Sequence, residues 1–117
     1  TCHRQDAETL RQNVYERQQK VYDFRKRVEK ELAYAHIEAK FAWDKGATEA
    51  EMKEVLSDLR KGQWRWDYAV ASHGAAFHAP QEVMRLLAGA MEYAKDARLQ
   101  IARVVAKTRI YGHNSYS

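Results

Sequence analysis

The chain has 117 residues, 45% hydrophobic and 31% charged, with five glycines, one proline and one cysteine. This is the length of one domain and the composition of a charge-laced helical protein, which excludes a sheet-rich fold and any internal disulfide. Formal net charge is +4, but 16 acidic residues are interleaved with 20 basic ones, a pattern that favours solvated helix faces over a nucleic-acid stripe.

The chain opens Thr1-Cys2-His3, and a start beside a Cys-His pair reads as part of something longer. From about Asp6 to Asp44 there is neither glycine nor proline. Apolar residues recur at Leu10, Val14, Val21, Val28, Leu32, Ala35, Ala39 and Trp43, spacings that form one stripe on a long first helix. On its outer face, Glu16 with Lys20 and Asp23 with Arg27 stand at the favourable i,i+4 spacing, and the Arg25-Lys26-Arg27 run reads as part of that solvated face. Lys45-Gly46-Ala47-Thr48 breaks the pattern: Gly46 suits the left-handed residue after a helix end, and Thr48 with Glu51 makes a capping box.

A second helix, about 49–73, carries Met52, Val55, Leu56, Leu59, Gln63, Trp66, Val70 and His73 on one face, and it should run antiparallel to the first. Gly62 within it loses about 1 kcal/mol of helix propensity against alanine, which suggests close approach of another helix or of a flat ligand. Gly74 to Ala79 is the second break. Pro80 fits the first turn of a third helix, whose stripe runs from Val83 through Leu87, Ala90, Ala94, Ala97 and Ile101 to about Lys107. The tail Tyr111 to Ser117 reads as loop. The expected fold is all-α: three long helices, about 6–44, 49–73 and 80–107, in one antiparallel, bundle-like domain. No apolar run reaches the ~18 residues of a membrane helix, and no signal-peptide pattern is present.

The densest chemistry lies in Gln63 to Pro80, QWRWDYAVASHGAAFHAP. Trp66 belongs to the core stripe, while Trp64 and Tyr68 are i,i+4 neighbours on another face, free to cover a partner subunit or a porphyrin edge. His78, on a short proline-fixed loop, can aim its imidazole clear of its own helices as an axial ligand, or merely fill the junction. At the other end of the chain, Thr1-Cys2-His3 matches the last three positions of C-x-x-C-H, where cysteines bind haem covalently and the histidine ligates iron. Alone it is a weak signal, and chance or a buried free thiol is the better reading of it. His73, near a helix C-terminus, suits a dipole-stabilised structural role. His36 reads as a hydrogen-bonded residue at the core edge, and His113 carries no argument. No zinc, phosphate-loop or hydrolase pattern is present.

Five blocks taken together carry a resemblance: T-C-H-R at the start, A-H-I-E-A at Ala35 to Ala39, G-A-T-E-A-E-M at Gly46 to Met52, Q-W-R-W-D at Gln63 to Asp67, and S-H-G-A-A-F-H-A-P at Ser72 to Pro80. From Thr1 to about Val105 the chain resembles the ammonia-forming, pentahaem cytochrome c nitrite reductases. The resemblance implies the C-terminal helical segment of a periplasmic enzyme that reduces nitrite to ammonium, homodimeric through its long helices and supplied by a periplasmic or membrane quinol-linked donor. It implies haem c held by Cys2 through a thioether, His3 as that haem's proximal ligand and His78 as the distal ligand of the preceding haem. The active site and the calcium site of that family would belong to upstream sequence, so this segment would carry neither. Two further readings stay open: a stand-alone basic helical module binding acidic proteins or RNA, and a related multihaem cytochrome acting on hydroxylamine or sulfite.

Overall fold

A computed structural model describes the backbone of residues 2–75 and 80–115, and the side chains of residues 6–72 and 81–108. The chain is all-α. It forms three helices, α1 (Cys2–Asp44), α2 (Glu49–Ala75) and α3 (Pro80–Ser115), with no strand among the described residues. All three outrun the expected boundaries: α1 starts at Cys2, α2 continues through Gly74 to Ala75, and α3 runs to Ser115. The loop expected from Tyr111 is therefore helical to Ser115. Residues 109–115 contain no proline to stop a helix already stabilised by packing further up.

The α1–α2 turn is built from the residues that mark it in sequence. Gly46 adopts φ +100°, the region where glycine meets no Cβ penalty. The Ala47 N–H donates to the Ala42 carbonyl at 3.0 Å and the Gly46 N–H to the Trp43 carbonyl at 3.0 Å, the paired bonds of a Schellman motif, with Ala42 and Ala47 both buried in one cluster. The capping box then closes α2: Glu51 N–H donates to Thr48 Oγ1 at 3.2 Å, and Thr48 N–H to Glu51 Oε1 at 3.0 Å. The Thr48 N–H and the Thr48 hydroxyl, the latter also at 3.0 Å, both donate to Glu51 Oε1 and hold that carboxyl below its ordinary range.

Packing divides into two buried clusters stacked along the bundle. Near the α1–α2 turn, Ala35, Ala39 and Ala42 meet Met52, Val55, Leu59, Ala97 and Ile101. Toward the α2–α3 connection, Val21, Val28 and Leu32 meet Ala69, Val83, Leu87, Ala90 and Ala94. Val21 with Val83, and Ala39 with Ile101, fix α1 and α3 as parallel and α2 as antiparallel to both. The many alanines let the helix axes approach closely, and Gly62 lies where α2 meets both α1 and α3. A Cβ there would sit 3.2 Å from Leu32 Cδ2, 3.3 Å from Tyr93 Cβ and 3.4 Å from the Ala90 carbonyl, so close helix approach explains this glycine.

The outline is not compact. Principal extents are 81 × 21 × 15 Å and the Cα radius of gyration is 20.1 Å, against roughly 13 Å for a compact domain of this length. The excess is α1. Its described residues 6–20 are all exposed, so Leu10 and Val14, expected in the core stripe, are 64% and 49% exposed. They are apolar on the correct face, but α2 and α3 end before reaching them. At the other end Ala42, rather than Trp43, completes the stripe. The expected pairs Glu16–Lys20 and Asp23–Arg27 do not form: Asp23 Oδ1 accepts from Gln19 Nε2 at 3.1 Å, and Arg27 lies 5.3 Å over the Phe24 ring. Exposed pairs of this kind contribute so little that a neighbouring ring displaces them.

Candidate functional site

Cys2 and His3 stand in the first turn of α1, and His73 and His113 within α2 and α3, but their side chains lie outside the described residues. His78 falls in the connection 76–79, also outside the described residues. The topology still constrains them. Because α2 ends at Ala75 and α3 begins at Pro80, His78 belongs to the short connection at one end of the bundle. At that same end α1 leaves the bundle near Val21, and His3 stands eighteen residues further up the helix, roughly 27 Å at 1.5 Å per residue.

The end of the bundle next to this connection is aromatic and cationic. Trp66 is half-buried, packs against the second cluster and donates its indole N–H to the Arg25 carbonyl at 3.2 Å. The Arg25 guanidinium lies 5.3 Å over the Tyr22 ring, and Lys26 Nζ lies 5.6 Å from the same ring. Arg25 Nε is buried without any acceptor. Within the run Arg25-Lys26-Arg27, Lys26 and Arg27 stand on the solvated face as expected, while Arg25 is half-buried, its guanidinium over Tyr22 and without an anion. A buried donor without an acceptor, beside exposed aromatic and apolar groups, fits a large flat apolar ring that carries carboxylates.

Other sequence candidates resolve into packing. Trp64 and Tyr68 stack with ring centroids 5.4 Å apart at 18°, and both are exposed. His36 is exposed, with Nε2 3.3 Å from Gln63 Oε1 while Gln63 Nε2 donates to Asp67 Oδ1 at 3.0 Å. An amide oxygen only accepts, so His36 Nε2 carries the proton in this contact. Two polar clusters escape sequence reading because their members lie on different helices. Arg98 on α3 forms a bidentate pair with Glu38, at 2.8 and 2.9 Å, and reaches Glu31 at 2.8 Å. Gln100 Nε2 bridges Asp58 on α2, at 2.9 Å, and Asp96, at 2.8 Å. Desolvation, then the Asp96 carboxyl, pushes Asp58 up to about 6. No helix of the described residues is long and apolar enough to cross a membrane.

Comparison with known proteins extends across this architecture. The sequence profile of the family described as cytochrome c552 matches residues 1–115. A protein named cytochrome c-552 from Bacteroides thetaiotaomicron is 62% identical over 107 residues, covering 92% of this chain and 22% of that protein. Its namesake from Porphyromonas gingivalis is 61% identical over 107 residues with the same coverage, and that from Parabacteroides distasonis 62% over 106, covering 91% and 22%. The chain therefore spans about a fifth of the length of the curated relatives it matches.

These matches correct the family expected from sequence. The profile and the relatives carry the description cytochrome c552, and nitrite reduction is named by none of them. The quoted blocks lie largely on the bundle itself: Ala35 and Ala39 in its core, Gly46 to Met52 at its turn, Trp66 at its edge. Such positions report a shared helical scaffold and say nothing of substrate, so neither the nitrite-reducing assignment nor the stand-alone RNA or protein-interaction module stands. With a profile match over 1–115 and identities near 60%, the chain belongs to the cytochrome c552 family, whose electron-carrying cofactor is haem c.

Proposed function

We propose that this chain is the haem-ligating helical segment of a longer cytochrome c552, holding two haems in place for electron transfer rather than carrying a substrate site of its own. The observation that carries this reading is topological. His3 stands roughly 27 Å of helix beyond the level of Val21, whereas the connection containing His78 joins helices packed beside Val21 through Val83. That separation is too long for two ligands of one iron, and it supports one haem at each position.

In this reading Cys2 forms a thioether to the first haem, His3 is its proximal ligand, and His78 is the distal ligand of a second. When bound, haem c supplies one-electron transfer, tuned by axial ligation and burial. The chain's own residues orient the imidazoles: α1 and its capping turn set His3 relative to the bundle, and Pro80 restricts the backbone after His78. The reacting centre of the parent oxidoreductase lies elsewhere in its chain, and calcium, if the parent holds it, is bound there too. Covalent haem attachment suits a periplasmic location and a quinol-linked donor. Leu10, Val14 and Tyr15 on the free part of α1, at 64%, 49% and 66% exposure, suit burial against the parent chain or a second copy in a homodimer.

The test uses the full-length parent matured with its haems. Replacing His78 by alanine converts one low-spin haem to a five-coordinate form in its electronic absorption and EPR spectra, and the tryptic peptide ending at Arg4 carries haem at Cys2. Unchanged low-spin spectra together with a free Cys2 thiol would overturn the reading.

A further inference from the structure

Resting on that reading, we infer that Arg25 is a carboxylate-binding residue whose guanidinium receives a propionate of the haem ligated by His78. A helical side chain leans toward the helix N-terminus. Arg25 follows this rule, lying 5.3 Å over the ring of Tyr22, one turn earlier on α1. Trp66 meanwhile anchors at Arg25's own carbonyl, 3.2 Å away. The guanidinium is therefore displaced from the level of Trp66 toward the α2–α3 connection, the end of the bundle that contains His78.

A guanidinium cannot discard its charge and presents five donors in a planar fork. Here one face is occupied by Tyr22, Nε is buried without an acceptor, and no carboxylate pairs with Arg25 among the described residues. The two nearest acids in sequence are engaged elsewhere. Asp23 Oδ1 accepts from Gln19 at 3.1 Å, and Glu29 Oε2 pairs with Lys26 at 3.5 Å. With Nε buried, what remains is the in-plane edge formed by the two Nη groups, which matches a carboxylate bidentately. A propionate supplies that carboxylate on a ring whose apolar body suits the neighbouring aromatic groups.

The experiment is a spectroelectrochemical titration of the haem-loaded, full-length parent carrying Arg25→Gln, Arg25→Lys or Arg27→Gln, with resonance Raman observation of the propionate modes. The reduced haem carries one more negative charge than the oxidised haem, so loss of the nearby cation disfavours reduction. Arg25→Gln lowers the reduction equilibrium constant of a single haem on the order of tenfold. Arg25→Lys keeps the charge and most of that constant, but it shifts the propionate band because the bidentate geometry is lost. Arg27→Gln, whose guanidinium lies over Phe24 at 5.3 Å, changes neither. If Arg25→Gln leaves every potential and propionate band in place, or Arg27→Gln shifts the same haem as much, the inference falls. The His78→Ala spectra decide the haem assignment separately: ligand loss there with silence at Arg25 removes only the propionate contact.

Discussion

One helix holds two outcomes of the same sequence pattern. Val28, Leu32, Ala35 and Ala39 on α1 are at most 5% exposed, while Leu10 and Val14, on the same stripe, stand in solvent. Nothing in the local sequence separates them, and all six fit one face at helical spacing. The difference is what lies opposite. From Val21 onward α2 and α3 close over the stripe, and before Val21 neither helix reaches it. Periodicity reports that a face is apolar; which partner covers it depends on helix lengths and turns. In the function proposed above, the parent chain or a second copy covers the free part of α1.

The sharpest way to break this comparison is to truncate one residue on each side. Leu87, fully buried in the cluster with Val28 and Leu32, loses about 3 kcal/mol on substitution by alanine, from lost transfer energy plus the cavity left behind. Leu10→Ala shifts stability by less than about 0.5 kcal/mol in this chain. Urea unfolding followed by circular dichroism measures both, and a similar loss at the two positions would mean that α1 is covered along its whole length.

The second effect probes why the packed part is so tight. Gly62→Val introduces branched bulk where a single Cβ already meets Leu32 and Tyr93 within 3.3 Å. It costs about 2 kcal/mol through overpacking, despite valine's better helix propensity. A neutral or stabilising result in the same unfolding assay would show that the three axes separate easily.

The smallest effect concerns the Asp58–Asp96 contact between α2 and α3. The folded pKa of Asp58, about 6, lies above its ordinary 3.8, so the folded state binds a proton that the unfolded state has released. Stability therefore falls as pH rises from about 4 to about 6, and it stays at the lower level above that. Asp58→Asn keeps an acceptor for Gln100, flattens the slope and stabilises the chain at pH 7 by less than about 1 kcal/mol, after allowance for solvent screening. Thermal unfolding between pH 4 and 7 checks the sign; a wild-type melting temperature that rises across this window would overturn it.

Much of the fold was legible in local chemistry. Gly46, Thr48 and Glu51 specify their turn because the bonds involved join residues within five positions of one another. Pro80 marks the start of α3 for the same reason. The end of α3 was not legible, since helix propensity near Tyr111 is indifferent and tertiary support upstream decides. The haem roles expected of Cys2, His3 and His78 fall on side chains outside the described residues, while membership of the cytochrome c552 family agrees with haem c as cofactor. Substrate was not legible, because the resembling blocks whose side chains are described sit at packing positions.

By itself, the sequence determined the three helices, the α1–α2 turn, the apolar stripe of each helix and the residue types that suit haem, because each depends on spacing along one chain segment. Only the tertiary structure decided that Gly62 is a crossing point, that Arg98 clamps Glu31 and Glu38, that Asp58 meets Asp96, and that Arg25 folds over Tyr22 without an anion. Those contacts depend on how the three helices are set against one another and where each ends, and no spacing within a single helix encodes either.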